Sequence, residues 1–318
     1  MPDVDVVIPT WNGRHLLESC LRLLAGQTVP CRVIVVDNGS SDGTAVFVHE
    51  SHPEVTLLEF AENRGFARAV NPGIEAGSAP YVVLVNNDVD CDPTFVEHIV
   101  APLRDREGVG MVAGLLLRPG RRAVDSFGIE VDRTLAGFAR FTGAPYPDTA
   151  LHDRHLAGPS GGAAAYRRRA LEQVGTFDER LFAYMEDVDL ALRLRAAGWE
   201  AAGAPEAIGV HLGSATFGHR SRGQVEIGGA ARAYMLRKYG VLRRDPPAAA
   251  WALAAEAGVV AVDTLIGRDL AAVRGRLSGW RTAGNTRAPI PSDAVNPEIG
   301  FREALRRRRA VVAPGRRA

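Results

Sequence analysis

The sequence predicts an α/β fold with a mainly parallel central sheet flanked by helices and a C-terminal helical extension. Short apolar strand-like runs alternate with helix-spaced segments through the first part of the chain. Those runs are continuously apolar, the pattern of strands buried on both faces of a parallel sheet. Beyond residue 240 the alternation gives way to a long alanine-rich helical stretch and an arginine-rich tail.

Taken in order, residues 4–8 form a β-branched run closed by Pro9, and Leu16, Leu17, Cys20, Leu21 and Leu24 then repeat at helical spacing, with Gly26 as the stop. Residues 33–36 make a second continuous strand, followed by the turn cluster 37–43. Further strands fall near 55–60 and 81–85. The next stretch is less regular, with strand-like pieces at 111–117 and 129–132 and a Gly/Pro-rich loop over 136–155. The strongest helix begins at Glu186, carries Val188, Ala191, Leu192 and Arg195 along one face, gains an Asp189–Arg193 pair at i,i+4, and stops at Gly198. Residues 213–223 read as a Gly, Ser, His and Arg loop and 224–240 as a helix, while Pro289, Pro291 and Pro297 mark 282–300 as a linker or wrapping arm.

Composition excludes some classes. With 318 residues, 46% hydrophobic, 24% charged and a net charge of +1, the chain is an ordinary globular protein. It is not a wholly disordered one, and its charge balance predicts no nucleic-acid partner. Lys238 is the only lysine among 38 basic residues. Residues 301–318 hold seven arginines and one glutamate, so the run Arg306 to Arg309 reads as a solvated end or a peripheral contact with acidic lipid headgroups. Cys20, Cys31 and Cys91 are odd in number and lack CxxC spacing, which predicts reduced thiols. No basic-then-apolar leader opens the sequence. Residues 248–266 carry Glu256 and Asp263 seven apart on one helical face, the mark of an amphipathic helix rather than a membrane span. The expected location is cytoplasmic, at most peripheral on the inner face of a membrane, with an oligomer allowed.

Ligands of open parallel sheets bind beyond the carboxyl ends of the strands. Those ends here are Pro9, Thr10, Trp11 and Asn12; Asp37, Asn38, Gly39 and Ser40; Glu62, Asn63, Arg64 and Gly65; and Asn86, Asn87 and Asp88. All are polar. No GxGxxG follows the first strand and no GxxxxGK[ST] occurs, so a Rossmann dehydrogenase and a P-loop enzyme are excluded.

The segments VVIPTWNG (6–13), VVDNGSSDGT (35–44), ENRGFARAVNPGIEAG (62–77), LVNNDVD (84–90) and FDERLFAYMEDVDLALRLRAAG (177–198), with His211 after them, resemble family 2 glycosyltransferases of the GT-A fold, nearest to the rhamnosyltransferase-like branch. The resemblance covers about residues 4–215. It implies a nucleotide-sugar-binding half (1–110), an acceptor-binding and catalytic half (111–240) and an extension (241–318). It implies that Pro9, Thr10, Trp11 and Asn12 line a base site and that Asp37 meets the pyrimidine and ribose of a dTDP- or UDP-sugar, consistent with a carboxylate's capacity to accept from N3–H or hydroxyls. Asn38 and Ser40 belong to that turn, which Asp37 would otherwise simply cap. Asp88 ends the family's DxD-type motif and is the implied ligand of Mg2+ or Mn2+, hard ions suited to carboxylates. The motif's first position is here an amide, Asn86, with Asn87 between. His211 is the implied second ligand, and Asp90 shares a strand face with Asp88 as a reserve.

The pair Glu186–Asp187 carries the implied chemistry. Asp187 at a helix N-terminus is the general base for an acceptor hydroxyl, stabilised by the helix dipole and opposed by the charges of Glu186 and Asp189. A single carboxylate base implies inversion at the anomeric carbon. Asn63, Gly65 and Asn71 fit a loop and helix start near the ribose or phosphates, with Pro72 in the first helical turn. Gly161 and Gly162 suggest close approach of backbone to the sugar. His219, Arg220 and Arg222 read as a solvated basic loop or a contact for diphosphate or an acidic acceptor, and Trp11, Trp199, Trp251 and Trp280 as packing residues or sugar platforms. The expected activity is transfer of a hexose or deoxyhexose, rhamnose leading, to a glycan, lipid-linked or small-molecule hydroxyl. Two rivals remain: a sugar nucleotidyltransferase, which wants a lysine-bearing phosphate loop absent here, and a non-catalytic nucleotide-sugar-binding protein, which Asn86 keeps open.

Overall fold

The computed structural model describes residues 2–213, 221–284 and 287–312, with side chains described as far as residue 307. The chain opens with β1 (Val4–Thr10), α1 (Arg14–Ala25), β2 (Arg32–Asp37), α2 (Thr44–Ser51), β3 (Thr56–Glu59), α3 (Phe66–Ala76) and β4 (Tyr81–Val85). It continues through β5 (Val89–Cys91), α4 (Phe95–Asp105), β6 (Val109–Leu117), β7 (Val124–Phe127), β8 (Ile129–Val131), β9 (Gly137–Ala139), β10 (Ala163–Arg167), α5 (Arg168–Val174), α6 (Glu186–Ala196) and β11 (Glu200–His211). Helices then take over: α7 (Arg222–Lys238), α8 (Val241–Arg244), α9 (Pro246–Gly267), α10 (Ala271–Thr282) and α11 (Phe301–Val312).

The main sheet has nine strands in the order β3-β2-β1-β4-β10-β6-β11-β5, with β7 on the edge of β6 that β10 leaves. β3, β2, β1 and β4 are parallel, and β6 and β11 run the same way, because β10 is antiparallel to both β4 and β6. The sheet is therefore mainly parallel, as its continuously apolar strands predict. All nine residues of β6 are buried. Successive β1 side chains pack on opposite faces: Val7 joins a core beneath α3, α5 and α6, while Val6 and Ile8 join one beneath α1 and α4. The stretch 136–155, read as loop, contains the short strand β9 paired with β8.

Helix α6 ends at Ala196, and Gly198 follows at φ +91°, which only glycine adopts without strain. The Asp189–Arg193 pair forms at 2.8 Å. Helix α10 lies against α7 at very short range, because a Cβ on Gly275 or Gly279 would stand 2.0 Å from Glu226 O or 1.9 Å from Ala230 O. Helix α9 is long and apolar enough to cross a membrane by length and composition. It packs its acidic side inward, where Glu256 accepts from Arg232 Nε at 2.9 Å and from Arg276 Nη2 at 2.7 Å. The three cysteines are free thiols. His219 and Arg220 lie outside the described residues, as do the side chains of Arg308 and Arg309.

Candidate active site

A cavity of about 790 Å3 opens at the carboxyl ends of β1 and β4, the place a sheet of this topology offers a ligand. One wall is the turn after β1. Pro9, Thr10, Trp11 and Asn12 all line the cavity. Asn12 sits at φ +50° and is locked to the turn after β2: its N–H donates to Ser40 Oγ at 2.8 Å, and its Oδ1 accepts from Ser41 N at 2.7 Å. Thr10 Oγ1 accepts from Asn87 Nδ2 at 2.8 Å, joining the ends of β1 and β4. A side chain at Gly13 would meet that same amide at 2.1 Å.

The second wall is a network of amides. Asn38 donates to Asn63 Oδ1 at 3.0 Å and accepts from Arg64 N at 2.9 Å, and Asn63 Oδ1 also accepts from Gly65 N at 2.9 Å. Asn38, Asn63 and Gly65 line the cavity. Gly65 has φ +87°, and a Cβ there would stand 2.3 Å from Phe182 O. Asp37 and Ser40 lie behind this wall. The Asp37 carboxylate is 3% exposed and accepts from Ser40 N at 3.0 Å, so it holds the turn while its neighbour Asn38 faces the cavity.

Asp88 and His211 face each other across the opening, with Asp88 Oδ2 3.3 Å from His211 Nε2 and Asp125 Oδ2 2.8 Å from His211 Nδ1. Held first by Asp125 and then by Asp88, the imidazole is pushed up to about 10. With Nδ1 bonded to the Asp125 carboxylate, Nε2 is aimed at Asp88, so a cation that displaced the Nε2 proton would meet the ring nitrogen and the Asp88 carboxylate together. The donor set thus fits a divalent cation that keeps waters and phosphate oxygens in its remaining positions. Among the described residues no group of three or more His, Cys, Asp or Glu side chains forms a metal cage. Asp90 accepts from Ser19 at 2.8 Å and Asp92 pairs with Arg121, so neither lines the cavity.

The far wall carries the acids. Tyr184 and Met185 adopt left-handed conformations at φ +70° and +67°, each costing about 1–3 kcal/mol. This sharp reversal places Glu186 and Asp187 at the first turn of α6. Glu186 lines the cavity while 7% exposed, and its Oε2 has no hydrogen-bond partner among the described residues. Asp187 accepts from Val188 N at 2.8 Å and from Gly161 N at 3.4 Å, and Gly161 and Gly162 line the cavity. Burial raises both carboxyls above the usual range; the Asp187 charge adds to the rise at Glu186, while the two backbone N–H groups work against it at Asp187. The pair can hold one proton and one charge.

Asn71 is a correction. It does not begin a helix near the phosphates: α3 starts five residues earlier, and Asn71 is buried in its middle with Pro72 inside the helix. Its amide bonds both ways to the Phe177 backbone, at 2.9 Å to O and 3.0 Å from N, fastening the segment that leads to Glu186. Of the four tryptophans only Trp11 lines the cavity; Trp199 bonds Gln173, Trp251 packs on Phe301 and Trp280 lies under Arg237. Asp125, Tyr184 and Gln224 were not anticipated, since nothing in their local sequence marks them; Gln224 Nε2 donates to Tyr184 Oη at 3.2 Å at the cavity rim.

Comparison with known proteins adds family and fold. The sequence model described as Glycosyl transferase family 2 matches residues 5–175. A curated relative in Mycobacterium tuberculosis, named N-acetylglucosaminyl-diphospho-decaprenol L-rhamnosyltransferase, is 32% identical over 66% of this chain and 76% of its own. Glycosyltransferase AglE of Haloferax volcanii is 27% identical over 80% of this chain and 81% of its own. Among solved structures, the mannosyltransferase PcManGT of Pyrobaculum calidifontis, in complex with GDP-Man and Mn2+, superposes with a TM-score of 0.53 at 21% identity, covering 89% of this chain and 86% of that one.

Proposed function

The chain belongs to glycosyl transferase family 2 and is a glycosyltransferase with the GT-A fold, and from that premise we propose that it inverts the anomeric carbon of a dTDP- or UDP-linked hexose or deoxyhexose, rhamnose first, onto a hydroxyl of a lipid-linked or other glycan acceptor. The observation that carries the reading is one cavity at the carboxyl ends of the sheet lined by Asp88, His211 and Glu186, with Asp187 just behind its wall, accepting from the cavity-lining Gly161 N at 3.4 Å. The donor's nucleoside lies along Pro9 to Asn12 and the Asn38–Asn63 network, whose amides offer both donors and acceptors. The rhamnosyl donor and the lipid-linked acceptor rest on the name of the M. tuberculosis relative.

Asp88 and His211 would hold a divalent metal, Mg2+ or Mn2+. When bound, it supplies positive charge against the leaving diphosphate. Asp125 orients the histidine. Asp187, whose ionised form two backbone N–H groups favour against the effect of burial, takes the proton of the acceptor hydroxyl as its oxygen attacks from the face opposite the leaving group. Glu186, protonated in its apolar surroundings, leaves the site with a single base. A second reading exchanges these roles, favoured by Glu186 lining the cavity where Asp187 does not, with its buried Oε2 left without a partner among the described residues.

The test is Asp187→Asn beside Glu186→Gln, with transfer and donor binding measured separately. The proposal expects Asp187→Asn to lose on the order of 10^3-fold in kcat with donor affinity kept, and Glu186→Gln to retain most turnover. The reverse pattern assigns the base to Glu186. Full turnover in both variants removes the pair from catalysis.

A further inference from the structure

Helix α9 is turned inside out for a helix in water. Its two acids face the protein: Glu256 is buried between Arg232 and Arg276, and Asp263 is half-buried. The exposed positions repeat at helical spacing from Leu253 through Ala257, Ala261 and Val262 to Leu265 and Ile266, and none of them is charged. Leu265 is 76% exposed and Ile266 64%. The apolar surface continues round the corner through Leu270 and Leu277 of α10. Contiguous exposed apolar surface of this kind marks a surface with a partner.

The chemistry around the face selects the partner. Arg268 and Arg281 are exposed beside it, and Arg274, also exposed, stands 3.7 Å from Glu226 Oε2. An apolar stripe bordered by arginines is the pattern of a helix lying in a membrane interface, with side chains in the acyl boundary and guanidinium groups at anionic headgroups. Asp269, the acid at this corner, is occupied: it caps α10 at Ala271 N and stands 4.0 Å from Arg222 Nε. That contact also locates the corner, because Gln224, two residues on from Arg222, lines the cavity. The rigid packing of Gly275 and Gly279 on α7 fixes the distance between corner and cavity.

We propose that the apolar outer face of α9 and the α9–α10 corner seat the protein on a bilayer containing anionic lipid, so that the cavity mouth opens beside the membrane surface. The helix lies on the membrane and does not span it, because its Glu256 side is fastened to α7 and α10.

The full chain is tested by flotation with vesicles of phosphatidylcholine alone or mixed with phosphatidylglycerol, without donor, metal or acceptor, so the result is independent of the transfer chemistry. The wild type is expected to float with the mixed vesicles, and the L265Q/I266Q double variant to lose on the order of a hundredfold in partition. Both positions are exposed, so the variant keeps its fold, which near-ultraviolet circular dichroism checks. Arg268→Gln with Arg281→Gln should weaken flotation on mixed vesicles and remove its salt dependence. Equal flotation of L265Q/I266Q overturns the proposal. So does a wild type that ignores vesicles and forms a dimer which L265Q/I266Q dissolves, since the face would then belong to a second copy.

Discussion

Replacing Lys238 by Met tests how the acids of α6 are held. Lys238 Nζ is buried between Asp178 Oδ2 at 2.7 Å and Asp189 Oδ1 at 2.5 Å. Methionine keeps most of the stem's volume against Tyr234 and Tyr239 and removes only the cation. Deleting one partner of a buried pair costs about 3–5 kcal/mol. The low end applies, because neither acid is stripped bare: Arg180 keeps two bonds to Asp178 at 2.8 Å, and Arg193 and Tyr239 keep theirs to Asp189 at 2.8 and 2.9 Å. The expected loss is therefore about 3 kcal/mol, read as a Tm lower by about 6 °C at roughly 2 °C per kcal/mol for a large domain.

The pH dependence has a definite sign. Burial alone would lift the Asp178 carboxyl, but hydrogen bonds from Arg180, Lys238 and Tyr234 override it and hold that carboxyl well below the usual carboxylate range. A depressed acid contributes stability above its unfolded pKa and loses it as pH falls toward the folded value. The gap between wild type and Lys238→Met should be full at neutral pH and narrow through the acid range. Because Asp189 stands in the first turn of α6, turnover should also fall, on the order of tenfold, with donor affinity unchanged. Urea unfolding from neutral to acid pH and steady-state kinetics measure both. A loss below about 1 kcal/mol, or a gap that widens in acid, refutes the reasoning.

Gly279→Ala puts a methyl carbon 1.9 Å from Ala230 O, a backbone atom that cannot step aside; α10 must leave α7, and urea unfolding should show a loss of about 3 kcal/mol. Asp125→Asn removes the carboxylate that orients His211, so Mn2+ affinity, measured by electron paramagnetic resonance, should fall about ten- to a hundredfold while nucleotide binding in the absence of metal stays unchanged. Since burial raises the Asp187 carboxyl and only its ionised form accepts a proton, kcat should climb with pH on a limb lying above the ordinary carboxylate range. A limb at or below that range would take Asp187 out of the role.

The elements the sequence displayed are those whose own side chains produce the burial. The continuous β-branched and leucine runs of β1, β2 and β4 are buried on both faces, and Leu17, Cys20, Leu21 and Leu24 form the inner stripe of α1. β10 stayed hidden because its sequence, AAAYR, has no β-branched residue. It is a strand because β4 and β6 flank it, and alanine is what fits beneath α4, where Ala163 approaches Gly114 beside Ile99 and Phe95. The same holds for β11, rich in alanine and glycine and bulged between Ala204 and Ile208. At the site, turn residues were legible because chain direction alone brings strand ends together. Asn71 misled because a following proline suggests a helix start, whereas α3 carries Pro72 in its interior.

β10 also explains why the acids of the second half meet the Asn86–Asp88 turn of the first. A parallel strand beside β4 would send its preceding turn to the opposite edge of the sheet. Running antiparallel, β10 begins where β4 ends, and Asn86 N donates to Gly162 O at 3.2 Å across that junction. The Gly161–Gly162 turn is thereby fixed beside Asn86, Asn87 and Asp88, and Gly161 N–H is the group that reaches Asp187. Shifting β10 by one residue would reverse the side of the sheet its side chains face and carry the Gly161 N–H out of line. The distance from Asp88 to Asp187 is thus set by strand register rather than by either loop, which is why two acids a hundred residues apart in sequence can be held to one geometry without any bond between them.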